Sequence, residues 1–238
     1  LWAYAGLPET LPAGAYRIDA RFEPGAATTV ALGWALACYR FDRYKADRGK
    51  QTPFPALVWP SGADRGYVER TARATALVRD LVNTPAGDMG PAELAKAAGE
   101  VARRHRARVS TIVGDALLRR NYPTVHAVGR ASAHAPRLVD IIWGRANAPK
   151  VTLVGKGVCF DTGGLDLKTA DGMLRMKKDM AGAAQVLGLG SMIMDAGLDV
   201  RLRILVPAVE NSVSGNAFHP ADVIRTRKGI TVEVNNTD

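Results

Sequence analysis

Between Val151 and Gly164 an apolar run, Val-Thr-Leu-Val, leads into Gly-Lys-Gly-Val-Cys-Phe-Asp-Thr-Gly-Gly. Lys156 and Asp161 are thereby delivered into a turn punctuated by Gly155, Gly157, Gly163 and Gly164. Glycines let a backbone approach a ligand closely or adopt positive φ, and ligands of open α/β sheets sit at the carboxyl ends of strands. Lys168 follows, then Met176-Lys177-Lys178-Asp179, directly before the small-residue segment Met180-Ala-Gly-Ala-Ala184. Carboxylates gathered around such turns suit hard or borderline divalent metals, two of which can clamp one hydrolytic water. A lysine amine joins a ligand set only when deprotonated, which adjacent positive charge favours. On residue types alone, Lys156, Asp161, Lys168, Asp179 and the terminal Asp238 outline an oxygen-rich metal site, although Asp179 taken singly also reads as a helix N-cap.

Spacing argues against other chemistries. A phosphate-cradling loop needs Gly-Lys-Ser/Thr, but Lys156 is followed by Gly157. A dinucleotide fingerprint needs a glycine where Phe160 stands. None of His105, His126, His134 and His219 precedes a Glu, so the zinc helix His-Glu-x-x-His is missing and these four read as surface or packing residues. No Gly-x-Ser-x-Gly elbow supports a serine hydrolase. Cys159, between Val158 and Phe160, reads as a small buried hydrophobe rather than a nucleophile.

The elements that position these residues follow from apolar spacing. The first 20 or so residues read as loop and edge structure. Val30, Trp34, Cys38 and Phe41 recur at helical intervals within Pro24 to Tyr44, and Ala56 to Trp59 is a short strand bracketed by prolines. Ser61-Gly-Ala-Asp64 reads as a linker and divides the chain into 1–62 and 63–238. A helix is predicted over Arg65 to Val82, ending in Asn83-Thr-Pro-Ala-Gly-Asp88, and Pro91 opens the next one, with Leu94, Ala98, Val101 and Ala102 on its apolar side. Val109 to Val113, Thr124 to Val128, Leu138 to Trp143, Val151 to Val154, Arg203 to Val206 and Thr231 to Val234 read as strands, with helices at Asp115 to Arg120 and Met180 to Met194. Strands alternating with helices imply crossover units. The expected class is α/β, a mixed, largely parallel sheet flanked by helices, preceded by the end of a smaller α/β domain.

With 238 residues, 47% hydrophobic and 23% charged, the composition is that of one or two globular domains and argues against a disordered or collagenous chain. Apolar stretches such as Val30 to Cys38 fall far short of the ~20 residues of a membrane span. Two cysteines, Cys38 and Cys159, are too few for a disulfide scaffold and suit a reducing, cytoplasmic setting. The net charge of +9 leaves nucleic-acid binding as a rival function, although the basic residues are scattered between Arg103-Arg104-Arg106-Arg108 and Lys45 to Lys50.

Val154-Gly-Lys-Gly-Val-Cys-Phe-Asp-Thr-Gly-Gly-Leu-Asp-Leu-Lys168 and Met176-Lys-Lys-Asp-Met-Ala-Gly-Ala-Ala184 resemble the metal-binding core of the leucyl aminopeptidase (cytosol aminopeptidase) family. Asn83 to Pro91 is similar to the start of that family's catalytic domain, and Pro207-Ala-Val-Glu-Asn211 with Val232 to Asp238 is similar to the approach to its closing metal motif. These segments span about residues 65–238 in the family's order, which makes residues 1–60 the tail of its N-terminal domain. The resemblance implies that Lys156, Asp161, Asp179 and Asp238 hold two divalent ions, with Asp161 bridging them. Zinc and manganese come first, cobalt and magnesium after. It further implies that Lys168 polarises the scissile carbonyl and steadies the gem-diolate, while Met176 and Asn236 contact substrate. The implied reaction removes a leucine-like N-terminal residue from peptides through a metal-bridged water, with bicarbonate as base, in a cytoplasmic homohexamer.

Three departures stand out. Thr169 and Ala181 occupy positions where the family usually has Pro and Gly. The family continues Asn-Thr-Asp into Ala-Glu-Gly-Arg, which carries a further carboxylate ligand and the bicarbonate-holding arginine, and this sequence stops at Asp238. The expectation is a fragment cut at both ends, about half of a larger enzyme with an incomplete site. A non-catalytic scaffold of aminopeptidase-like build is the further alternative.

Overall fold

The computed structural model describes residues 2–46 and 52–238, so Arg48 and Lys50 of the second basic stretch lie outside the described residues. The chain separates into two compact units, Leu1–Asp80 and Leu81–Asp238.

The first unit holds α1 (Leu7–Thr10), β1 (Ala15–Tyr16), α2 (Pro24–Ala37), β2 (Ala56–Leu57) and most of α3 (Arg65–Asn83), with β1 and β2 paired in parallel. Pro24 starts α2 because its ring presets a helical φ and the missing N–H is one the first turn leaves unpaired anyway. Ala27, Val30, Ala31 and Trp34 are buried there, and the Trp34 indole N–H donates to the Pro55 carbonyl at 3.2 Å. The helix stops at Ala37, so Cys38 caps it and Phe41 leaves the predicted stripe. α1 is a helix in a stretch read as loop and edge structure, while β1 is the edge strand of a two-stranded sheet.

The second unit runs α4 (Pro91–Arg104), β3 (Arg108–Val113), α5 (Ala116–Arg119), α6 (Pro123–Gly129), β4 (Arg137–Trp143), β5 (Lys150–Val154), β6 (Gly157–Asp161), α7 (Ala170–Met173), α8 (Ala181–Asp195), β7 (Arg201–Asn211), β8 (Val223–Arg225) and β9 (Thr231–Glu233). Its main sheet has the order β3-β4-β7-β5, and β6 pairs with β7 beyond β5. The sheet is mixed, as expected. Parallel pairing is confined to β5 and β6 against β7, while β4 runs antiparallel to both β3 and β7. β5 and β6 return to β7 through the α8 crossover. β8 and β9 form a separate antiparallel pair.

The central strand β7 is longer than its apolar signal. Leu202, Ile204, Val206 and Ala208 are wholly enclosed, while the intervening arginines and Pro207 hid its true extent from a reading of apolar runs. α8 packs on Leu202 and Ile204, and α6 packs beside Val209. The predicted strand at Thr124 to Val128 is instead the helix α6. Pro123 at its first position nucleates the turn, and Ala127 and Gly129 bury its inner side, so helical packing overrides the β propensity of Thr124, Val125 and Val128. Among the described residues no helix is long and apolar enough to cross a membrane.

Candidate active site

Two half-sites lie along β5 and β6, one at the break between the strands and one at the carboxyl end of β6. The first is built from backbone. Between β5 and β6 the Gly155 N–H donates to the Leu205 carbonyl at 3.1 Å, and the Ala183 N–H donates to the Lys156 carbonyl at 2.8 Å. Lys156 is thus pinned by its main chain to the first turn of α8, while its side chain remains 60% exposed. Its ammonium stands 2.7 Å from Asp179 Oδ2. Asp179 lies in the short 3-10 turn Met176–Met180, and the cap residue of α8 is Met180, so Asp179 does not serve as the N-cap. Asp179 is largely enclosed, and its Oδ2 accepts no hydrogen bond; Lys156 meets it as a close charge outside hydrogen-bonding angles.

The second half-site is built from side chains. Asp161 ends β6 and is 4% exposed. Its Oδ1 accepts from the Gly163 N–H at 2.9 Å and from Asn211 Nδ2 at 2.8 Å, which leaves Oδ2 facing Lys168 Nζ at 3.5 Å. Gly163 at φ 89° and Gly164 at φ 64° occupy the left-handed region that glycine enters without a Cβ penalty. The chain therefore turns back sharply enough for the Lys168 N–H to donate to the Thr162 carbonyl at 2.9 Å. The Lys168 side chain is mostly buried and its ammonium also pairs with Asp238 Oδ1. The Thr237 hydroxyl donates to the Gly163 carbonyl at 2.7 Å and accepts from the Asp166 N–H at 2.9 Å, while the Thr237 N–H donates to Asp166 Oδ2 at 2.8 Å. Asn211 Nδ2 also donates to the Thr237 carbonyl at 2.8 Å.

All five predicted chemical residues thus occur in two contacting sets, Lys156 with Asp179, and Lys168 with Asp161 and Asp238. Met176 opens the 3-10 turn that carries Asp179 and is half-buried. Asn236 is exposed, and its Oδ1 accepts from the Asp238 N–H at 2.7 Å, shaping the last turn. Thr169, where proline is usual in the family, caps α7 by accepting from the Gly172 N–H at 3.3 Å. Asn211, Thr237 and Asp166 carry no signal of a role in the sequence, although all three lie inside the quoted motifs; only the pairing of β6 with β7 reveals what they touch.

The four histidines stand against carboxylates or hydroxyls: His105 beside Ser191 and Asp195, His126 beside Asp115, His134 on Glu210, His219 near Asp222. They are packing and surface pairs. Cys159 is fully enclosed, and burial pushes its thiol up, with Glu210 and Glu93 adding to the shift, so it stays protonated and unreactive at neutral pH. Arg103 and Arg104 end α4 and Arg108 begins β3, and Arg103 faces Glu100 at 4.0 Å.

Among the described residues no three His, Cys, Asp or Glu side chains converge on one point. The donors that do converge are carboxylates matched with amines. Asp179 Oδ2 is a buried carboxylate oxygen with no hydrogen bond, and Asp161 Oδ2 has a cation 3.5 Å away where Oδ1 has two N–H donors. Enclosed anionic oxygens of this kind are costly unless a positive charge answers them. Hard divalent cations fit that donor set.

Residues 76–238 match the model of the catalytic domain of the cytosol aminopeptidase family, and residues 1–60 match the M17 aminopeptidase N-terminal domain. The crystal structure of cytosol aminopeptidase from Coxiella burnetii is similar at 46% identity with a TM-score of 0.92, covering 100% of this chain and 51% of that one. A probable cytosol aminopeptidase of Geobacter sulfurreducens is 35% identical over 247 residues, which is 99% of this chain and 50% of the relative. The bottromycin maturation enzyme BotP in complex with Mn superposes with a TM-score of 0.87 at 35% identity, covering 99% of this chain and 52% of that one. The chain spans about half the length of these relatives. On the strength of the two domain matches in their proper order, the chain belongs to the cytosol aminopeptidase family.

Proposed function

We propose that the polypeptide to which this chain contributes is a metal-dependent aminopeptidase that releases the N-terminal residue of peptides, with a preference for leucine-like side chains. The observation that carries the reading is the position of Lys168, its ammonium buried between Asp161 and Asp238 at the end of β6. Lys156, Asp161, Asp179 and Asp238 would hold two divalent ions, zinc or manganese before cobalt or magnesium; the similar enzyme BotP, in complex with Mn, supports manganese. Bound there, two such ions supply Lewis-acid activation of water and an anchor for a free α-amino group, which limits cleavage to chain ends.

The chain's own residues supply the rest. The Gly163–Gly164 turn and the hydrogen bond from the Lys168 N–H to Thr162 aim the Lys168 side chain into the site. The Lys168 ammonium would donate to the carbonyl oxygen of the scissile bond, where negative charge develops. Asp161 Oδ1, held by two N–H donors, keeps Oδ2 turned inward. Met176 would border the first side-chain pocket and Asn236 would reach substrate, with bicarbonate as the base.

The same reading assigns residues 1–62 to the end of an N-terminal domain and 63–238 to a linking helix and the first part of the catalytic domain, and it places the enzyme in the cytoplasm as a homohexamer. In the complete protein, Lys168→Ala is expected to lower kcat for leucine p-nitroanilide by orders of magnitude with folding intact. Undiminished hydrolysis by that variant would overturn the mechanism.

A further inference from the structure

β6 carries one residue too many for its partner. Gly157 and Val158 pair with Ala208 and Val209, whereas Asp161 pairs with Asn211, so the register slips by one between Val158 and Asp161. Because side chains alternate faces along a strand, an unbroken register would set Phe160 opposite Asn211 and turn the Asp161 carboxylate to the other face. The irregularity re-aims Asp161 so that its carboxylate and the Asn211 amide stand side by side.

The Asn211 side chain is 5% exposed, and its single NH2 group answers two acceptors, Asp161 Oδ1 at 2.8 Å and the Thr237 carbonyl at 2.8 Å. Both acceptors need a donor, so the amide is fixed in one orientation. The main chain of Asn211 is engaged as well, its carbonyl accepting from the Thr162 N–H at 3.0 Å and from the Thr162 hydroxyl at 2.9 Å. A β-carbon on Gly164 would come within 3.0 Å of Asn211 Oδ1 and 3.1 Å of Thr237 Oγ1, so the glycine turn is what lets these groups close together.

One amide therefore ties the carboxylate of Asp161 to the peptide unit that carries Asp238, across 77 residues of sequence. We infer that Asn211 is a positioning residue: it sets the separation and orientation of Asp161 and Asp238 for divalent-cation binding without itself touching the ion. The inference rests on the metal-site reading above. Its physical basis is that a carboxylate held on one oxygen presents the other in a single direction, so the site is formed before the ion arrives. Outer partners of this kind are worth about tenfold to a hundredfold in metal affinity.

The test is a Mn2+ titration of the complete protein, reading the electron paramagnetic resonance signal of the free ion, for the wild type, Asn211→Ala, Asn211→Ser and Asp161→Asn, with metal-free melting curves alongside. Asn211→Ala is expected to weaken Mn2+ binding about tenfold or more, and Asn211→Ser, whose hydroxyl can serve one acceptor, to fall between it and wild type. A purely structural asparagine would change the melting curve and leave the affinity of the folded fraction unmoved. Should Asn211→Ala fail to fold, Asn211→Ser carries the test, and wild-type affinity in that variant overturns the inference. If Asn211→Ala binds Mn2+ like wild type while Asp161→Asn does not, the metal site stands and the role of Asn211 is refuted. If wild type and Asp161→Asn are equally without binding, the metal reading itself fails and takes the inference with it.

Discussion

The two half-sites are held by different means. Around Asp161 the work is done by side chains: Asn211, Thr237 and Asp166 satisfy one another and the Gly163–Gly164 turn through short hydrogen bonds. Around Lys156 and Asp179 it is done by backbone. Gly155 and Lys156 lie against the first turn of α8, and beyond that main-chain contact the Lys156 side chain is exposed and Asp179 Oδ2 has no hydrogen bond. One half is completed by the protein itself. The other is set in place with Asp179 Oδ2 facing the exposed Lys156 ammonium at 2.7 Å and accepting no hydrogen bond, so its carboxylate is the more loosely held of the two.

The backbone-built half is broken most severely by a single methyl group. A β-carbon on Gly155 would lie 2.5 Å from the Gly182 carbonyl oxygen and 2.7 Å from the Ala183 Cα, main-chain atoms of α8 that cannot rotate aside. Gly155→Ala is expected to cost about 3 kcal/mol, the upper end of ordinary overpacking, read as a lowered urea midpoint at unchanged slope. A loss below about 0.5 kcal/mol would mean that α8 is free to shift and that the contact does not fix Lys156.

For the half built from side chains, Thr237→Val is the sharper probe, because it keeps the shape and removes the hydroxyl. Thr237 is 3% exposed, so the Gly163 carbonyl and the Asp166 N–H would lose a partner in a place water reaches poorly. The expected loss is about 1–3 kcal/mol. Read locally, that is about a tenfold to hundredfold fall in hydrogen-exchange protection of the Asp166 amide, with core amides of β7 little changed. Equal loss of protection at Asp166 and in β7 would show that the network supports the whole unit rather than the turn.

The difference between the halves also explains which of their residues are legible in the amino-acid sequence. Lys156, Asp161, Lys168, Asp179 and Asp238 are legible because charged residues among glycines and apolar runs stand out by type. The helices at Arg65 and Pro91 are legible from periodicity and from a proline that can only begin a helix. Asn211 is not, because its meaning depends on a one-residue slip between strands 50 residues apart, and no local spacing encodes a slip. Thr124 to Val128 misleads for the opposite reason: its residue types favour strand, and a preceding proline with burial on one side decides for helix. The break of the ribbon at Gly155–Lys156 is hidden inside what reads as a continuous strand and turn.

The smallest expected effect is the most telling for the comparison. Asp179→Asn removes one charge, keeps the shape, and costs no hydrogen bond at Oδ2, since none is made there. What it forfeits is attraction to Lys156, whose side chain is 60% exposed, and pairs with so solvated a partner are worth about 0–1 kcal/mol. Against that, the neutral amide no longer has to be kept enclosed as an anion, which favours the variant. The two terms oppose each other, so in the metal-free chain Asp179→Asn is expected to shift stability by less than about 1 kcal/mol, while abolishing any rise in melting temperature on adding Mn2+. A loss above about 2 kcal/mol without metal would make the Lys156–Asp179 pair a structural strut, and the distinction between a completed half and a waiting one would fall. A near-neutral variant that no longer responds to Mn2+ would place the Asp179 charge where it matters, in the binding of the cation rather than in the fold.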